Sequence, residues 1–125
     1  MGDFPGVSHV LLASIWFQNN GCEVPLYDGS IEKVCNDSAA LIDENIVVTD
    51  LELEAAAFLY LAGQGALVDG AFIERIIAVQ NDDGGWKSSS DAPVASDWHA
   101  SVLGLLILMH VKYPADSYPP MLAPA

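Results

Sequence analysis

Three segments that are apolar on nearly every face alternate along this chain with two that are apolar on one face only, and this alternation narrows the folds open to it. The first runs from about Ser8 to Asn20, the third from Thr49 to Gly63, and the fifth from near Asp97 to just before Pro114. The second, after Gly29, spaces Ile31, Val34, Cys35, Ser38 and Leu41 as one helical face, and the fourth does the same with Phe72, Ile73, Ile76 and Ile77. A helix apolar all round must be covered on both sides, whereas a one-sided helix keeps its charged face in water. No convincing strand lies between the segments. Short connections make successive helices antiparallel neighbours. The expectation is therefore an all-α domain, residues 1–113, of antiparallel helical hairpins in two layers, followed by a proline-rich tail at 114–125. The first, third and fifth helices then point the same way, and their N-termini share one rim.

The punctuation agrees with this reading. Ser8 stands where an N-cap is needed and Gly21 where a helix must stop. Thr49 followed by Glu52 forms a capping box, and Asp69 is flanked by Val68 and Ile73 at hydrophobic-staple spacing. Asp97 opens the fifth helix.

Residues 70–86, GAFIERIIAVQNDDGGW, carry an amphipathic helix into Gln80 and then into Asn81-Asp82-Asp83-Gly84-Gly85-Trp86. Two glycines permit positive φ where the chain must reverse, and a tryptophan supplies a large apolar cap. This stretch resembles a QW repeat of the α/α toroids, the superfamily of squalene and triterpene cyclases and protein prenyltransferases. The resemblance implies a partial α/α toroid in which Gln80, Gly84 and Trp86 tie the end of an outer helix to the next hairpin. Trp16 to Gly21 is a degenerate echo of the same pattern. The activities of that superfamily are not implied: Asn81-Asp82-Asp83 lies in the turn, not on a cavity wall, and neither cysteine matches the zinc-binding position of the prenyltransferases.

A second resemblance spans roughly residues 4–111. The order Ser8-His9, Gly21-Cys22, Cys35-Asn36, Asp50-Leu51-Glu52-Leu53-Glu54, Gln80 to Trp86 and His99 is similar to that of an uncharacterised family of secreted animal proteins. The chain departs from that family at Asp97-Trp98 and Gly85-Trp86, where the family would place cysteines.

Four basic residues against seventeen acidic ones give a formal charge of −13, which repels phosphate backbones and anionic lipid. Nucleic acid is thus excluded as a partner. The apolar runs Val10–Phe17 and Val102–Val111 are too short for a membrane span. A half-toroid leaves apolar inner faces uncovered, so a homo-oligomer or a second protein chain is expected to cover them. Cys22, after the first helix, and Cys35, on the second, read as a disulfide across the hairpin, the other reading being a reduced pair of thiols. With the Asn36-Asp37-Ser38 sequon, that pair points to an extracellular setting.

On the shared rim, His9, Glu54 and His99 open three parallel helices. Two imidazoles and a carboxylate with an open position form a ligand set for zinc or another divalent metal, with Asp97 as a cap or as an orienting group. Glu52 is explained by the capping box, whereas Glu54 stands on a face otherwise filled by Leu and Ala. His110, beside Lys112, reads as a cationic complement to a helix C-terminus. No nucleophile elbow, phosphate loop or dinucleotide fingerprint is present. The functional expectation is a secreted, disulfide-stapled binding or assembly module with a small-ligand or peptide site on the rim. The alternative is a metal-dependent enzyme using His9, Glu54 and His99.

Overall fold

A computed structural model describes residues 6–23, 28–42 and 46–113. Five α-helices are present among them: α1 (Val7–Asn19), α2 (Ser30–Ala40), α3 (Asp50–Leu61), α4 (Gly70–Ala78) and α5 (Trp98–Lys112), with one 3-10 turn at Gly65–Leu67. No strand occurs among the described residues, only isolated bridges pairing Thr49 with Ser89 and Trp86 with Asp97. The all-α class and the five segments stand. The proline-rich tail lies outside the described residues.

α3 is the centre of the fold. It packs against α1, α2 and α5, while α1 also packs on α2. Every residue from Glu52 to Leu59 is buried. Ala55, Ala56 and Ala57 let neighbouring helices approach closely, since interaxial distance is set by the side chains at the contact. α1 and α5 are equally apolar in composition but are covered by the described residues on one side only. Trp16 and Phe17 on α1 and Val102, Leu105 and Met109 on α5 are about half exposed.

The helix starts follow the sequence with one exception. Thr49 and Glu52 exchange their capping-box bonds, and Asp69 and Asp97 cap α4 and α5 through their carboxylates. Ser8 is not a cap: Gly6 holds that position, and Ser8 sits fully buried inside the first turn of α1. Ile77 is also displaced from its expected place in the core and is 55% exposed, because α4 buries only the narrower stripe of Phe72 and Ile76.

The turn after α4 is anchored by Trp86. Its ring is 1% exposed, and its indole N–H donates to the Ile76 carbonyl at 2.9 Å. The ring lies on α5 at Gly104, where an added Cβ would come within 2.6 Å of it. The Gln80 amide donates to the Gly84 carbonyl, so it closes its own turn and does not reach the next hairpin. Gly84 has φ +88°, as that turn requires. The link to α5 is made by Trp86 itself, through its ring and through its backbone N–H to the Ser101 hydroxyl at 2.9 Å. Hydrogen bonds from the Ser96 hydroxyl and the Gly85 N–H hold Asp83 below the usual carboxylate range. Its contribution to the turn is therefore complete above the unfolded value of about 3.9 and is lost as pH falls through the lowered folded value.

The disulfide expectation is corrected. Both cysteines are free, Cys22 exposed and Cys35 buried. Cys35 occupies the middle of α2, where it lines an open depression with Ser14, Ile15 and Gln18. Cys22 lies beyond the end of α1. Burial pushes the Cys35 thiol up from its ordinary range, which suppresses the reactive thiolate.

Two outcomes follow. Trp86→Ala should cost about 3–5 kcal/mol and Gly104→Ala about 1–3 kcal/mol in urea denaturation, the first from a cavity and the second from overpacking against the indole. Under native conditions a maleimide should label Cys22 rapidly and Cys35 only on unfolding; a linked 22–35 peptide in a non-reduced digest would refute the free-thiol pair.

Candidate functional site

α3 carries Asp50 and Glu54 one helical turn apart on the same face, so both carboxylates point to one end of the bundle. α1 brings Ser8 and His9 to that end and α5 brings His99. The Ser8 hydroxyl donates to Glu54 Oε1 at 2.5 Å, and His9 Nδ1 lies 3.2 Å from the same oxygen. His99 faces two acids of α3, Asp50 and Glu54. Its Nδ1 is 2.9 and 2.8 Å from the two Asp50 carboxylate oxygens, and its Nε2 is 3.7 Å from Glu54 Oε2. The result is a continuous polar chain from Ser8 and His9 through Glu54 and His99 to Asp50, drawn from three helices.

The loop before α5 sets the position of His99. Ser90 N–H donates to the Val48 carbonyl at 2.8 Å, Asp50 N–H to the Ser88 carbonyl at 2.7 Å, and the Ser90 hydroxyl accepts from Val48 N–H at 2.9 Å. Asp97 N–H then donates to the Trp86 carbonyl at 2.7 Å. The loop is thereby fixed at one end to the start of α3 and at the other to the Trp86 turn. These bonds place the first turn of α5 against Asp50. The Asp97 carboxylate caps Ala100 N–H at 3.0 Å and stays beside His99.

The Glu54 side chain is 7% exposed, and the charge of such a carboxylate must be compensated by donors. Ser8 supplies one directly. The His9 side chain is 68% exposed, edge-on to Phe58, and reaches Glu54 from the solvent side. The His99 side chain is 38% exposed, with Trp98 edge-on to it at 5.5 Å.

The expected residues His9, Glu54 and His99 are thus brought around one carboxylate. Among the described residues, the metal-capable group is a neighbouring one: Asp50, Asp97 and His99 each offer a ligand atom, all within 4.8 Å of one another. Sequence reasoning passed over Asp50 and Ser8 as site residues. Asp50 was detectable, being four residues before Glu54 on the same face; Ser8 was hidden by its apparent suitability as a cap. His110 is remote from this group, with Nδ1 2.8 Å from the Leu106 carbonyl of its own helix and its ring against Tyr60.

No family model, curated protein or solved structure matches the chain. The geometry itself is therefore what bears on function. Ser8→Ala removes the one buried hydroxyl on Glu54 and should cost about 1–3 kcal/mol, measured by chemical denaturation at neutral pH. A loss within experimental error would show that water serves Glu54 equally well.

Proposed function

We propose that this domain is a cation-binding module. A divalent metal ion is held on the rim by His99 Nδ1 and the carboxylates of Asp50 and Asp97, and Glu54 orients the imidazole from behind. The observation that carries the reading is the position of His99 between carboxylates on both ring nitrogens, with a compact oxygen, oxygen and nitrogen set on one side. A ligating histidine commonly presents its other nitrogen to a carboxylate, which fixes the ring and raises its basicity. A leucine at position 54 would match the buried Leu, Ala and Phe side chains that follow it on α3, so the buried carboxylate calls for a role beyond packing.

Two carboxylates and one imidazole suit zinc, manganese or ferrous iron. The −13 charge draws cations toward such a rim and repels phosphates. Positions left open on the ion would take a donor group of a small ligand or peptide. In this reading α1, α3 and α5 form the inner layer of a partial α/α toroid, in keeping with their all-round apolar sequences. With the thiols free, an extracellular setting rests on the Asn36 sequon and the resemblance to secreted proteins.

The competing reading is a metal-dependent enzyme that uses His9, Glu54 and His99. It is favoured by the 3.7 Å between His99 Nε2 and Glu54 Oε2, near the roughly 3.4 Å that separates two ligands of a tetrahedral ion with bonds of about 2.0–2.1 Å.

Titration of chelator-stripped protein with zinc and manganese, followed by calorimetry in two buffers, tests both. One ion per chain should bind, with Nδ1 as ligand and the ring proton held on Nε2 toward Glu54. His99→Ala should abolish binding, Asp97→Asn should weaken it at least about tenfold, and Glu54→Gln should cost about 10–100-fold. Asn is an equal N-cap, so α5 is preserved in Asp97→Asn. His9→Ala should change little. No ion bound, or unchanged binding in His99→Ala, would overturn the proposal; loss in His9→Ala with none in Asp97→Asn would assign the alternative set.

A further inference from the structure

We infer that α5 is the docking surface for a second copy of this chain, the two α5 helices packing antiparallel about a two-fold axis. Trp98, Val102, Leu105 and Met109 are 76%, 57%, 50% and 58% exposed. They follow one another at intervals of four, three and four residues, the spacing of a coiled-coil seam, and form a stripe about 16 Å long. The opposite side of α5, with Ala100, Leu103, Gly104 and Ile107, is already buried in the core. The helix therefore has two apolar faces, and the described residues cover one.

Charge identifies the occupant. None of the seventeen acidic residues lies on α5, although the chain averages about one in seven. A seam without acidic residues on a chain of −13 is a surface on which two copies can meet without strong local repulsion. Its ends differ: Asp97 caps the N-terminus, and His110 and Lys112 occupy the last turn. Antiparallel packing brings Lys112 of one copy toward Asp97 of the other and opposes the helix dipoles, whereas parallel packing sets like ends together.

The seam is also complementary to itself in this direction. Centring the two-fold between Leu103 and Gly104 sets Trp98 on Met109 of the second copy and Val102 on Leu105. Methionine against indole is a favourable packing of sulfur on an aromatic ring. The docked copy would also cover the outer side of Trp98, next to His99.

Sedimentation velocity of the full chain from about 1 to 100 µM should show a dimer, strengthened as salt is raised because repulsion between the acidic surfaces is screened. Val102→Lys and Leu105→Glu are exposed substitutions and should each weaken dimerisation at least about tenfold while keeping helical circular dichroism. Mixed together, the two variants should dimerise again, since the ammonium introduced in one copy then faces the carboxylate introduced in the other across the axis. Parallel packing predicts no such rescue. His99→Ala should leave dimerisation unchanged, so failure of the cation reading does not affect this one. A monomer throughout the range would overturn the inference, as would a chain that dimerises only after truncation at Tyr113, which would assign the seam to residues 114–125. Loss without rescue on mixing would overturn the antiparallel register.

Discussion

Burial of α3 from Glu52 to Leu59 is the constraint on which the rest of the structure depends. A helix whose buried stretch is mostly Leu, Ala and Phe is stable only when other elements surround it, and α1, α2 and α5 are helices that do so. Because α3 also carries Glu54, surrounding it means bringing donors to a carboxylate that water barely reaches. Ser8, His9 and His99 stand where that need places them. Packing and site are consequences of the same helix: the apolar stretch draws the neighbours in, and the acid at its first turns selects which of their residues must face it.

How α5 reaches its position is a separate matter, settled by Trp86. Its indole fills the space left by Gly104, its N–H is satisfied by α4, and its backbone bonds both Ser101 and Asp97. The Ser88–Ser90 loop then pins the same segment to the start of α3. His99 lies two residues past Asp97, close enough for its ring to be fixed against Asp50 with little remaining freedom. Positioning from both ends is what a site needs if its geometry is to hold without a ligand.

The charge pattern divides the molecule in a second way. Acidic residues fall on α2, α3, α4 and the loops, and both α1 and α5 lack them. The acids at the start of α3 converge with His99, while the acid-free helices retain exposed large apolar side chains. One end of the domain thus gathers carboxylates around His99, and its flanks expose apolar side chains. Trp98 and His99 join the two surfaces at the first turn of α5.

The helices and most of their caps were legible in the sequence, because Thr49, Asp69, Asp97, Gly29 and the 3.6-residue periodicities act over one or two turns and need no distant contact. The convergence of His9, Glu54 and His99 was legible too, since short connections fix helix direction and direction fixes which ends share a rim. Three things were not. Ser8 satisfies the local rule for a cap, yet a buried carboxylate 46 residues away claimed it as a donor. Cys22 and Cys35 are close in sequence, yet thiol pairing depends on Cα and Cβ separations held to within a few ångströms, which sequence spacing does not fix. Equal apolarity in α1, α3 and α5 concealed that only α3 is enclosed, because hydropathy states what a helix can bury and not how many neighbours arrive to bury it. Sequence alone determined the class, the helix directions and the charge; the tertiary structure decided which histidine meets which carboxylate and which apolar faces remain open, because both depend on distances set by packing across the whole fold.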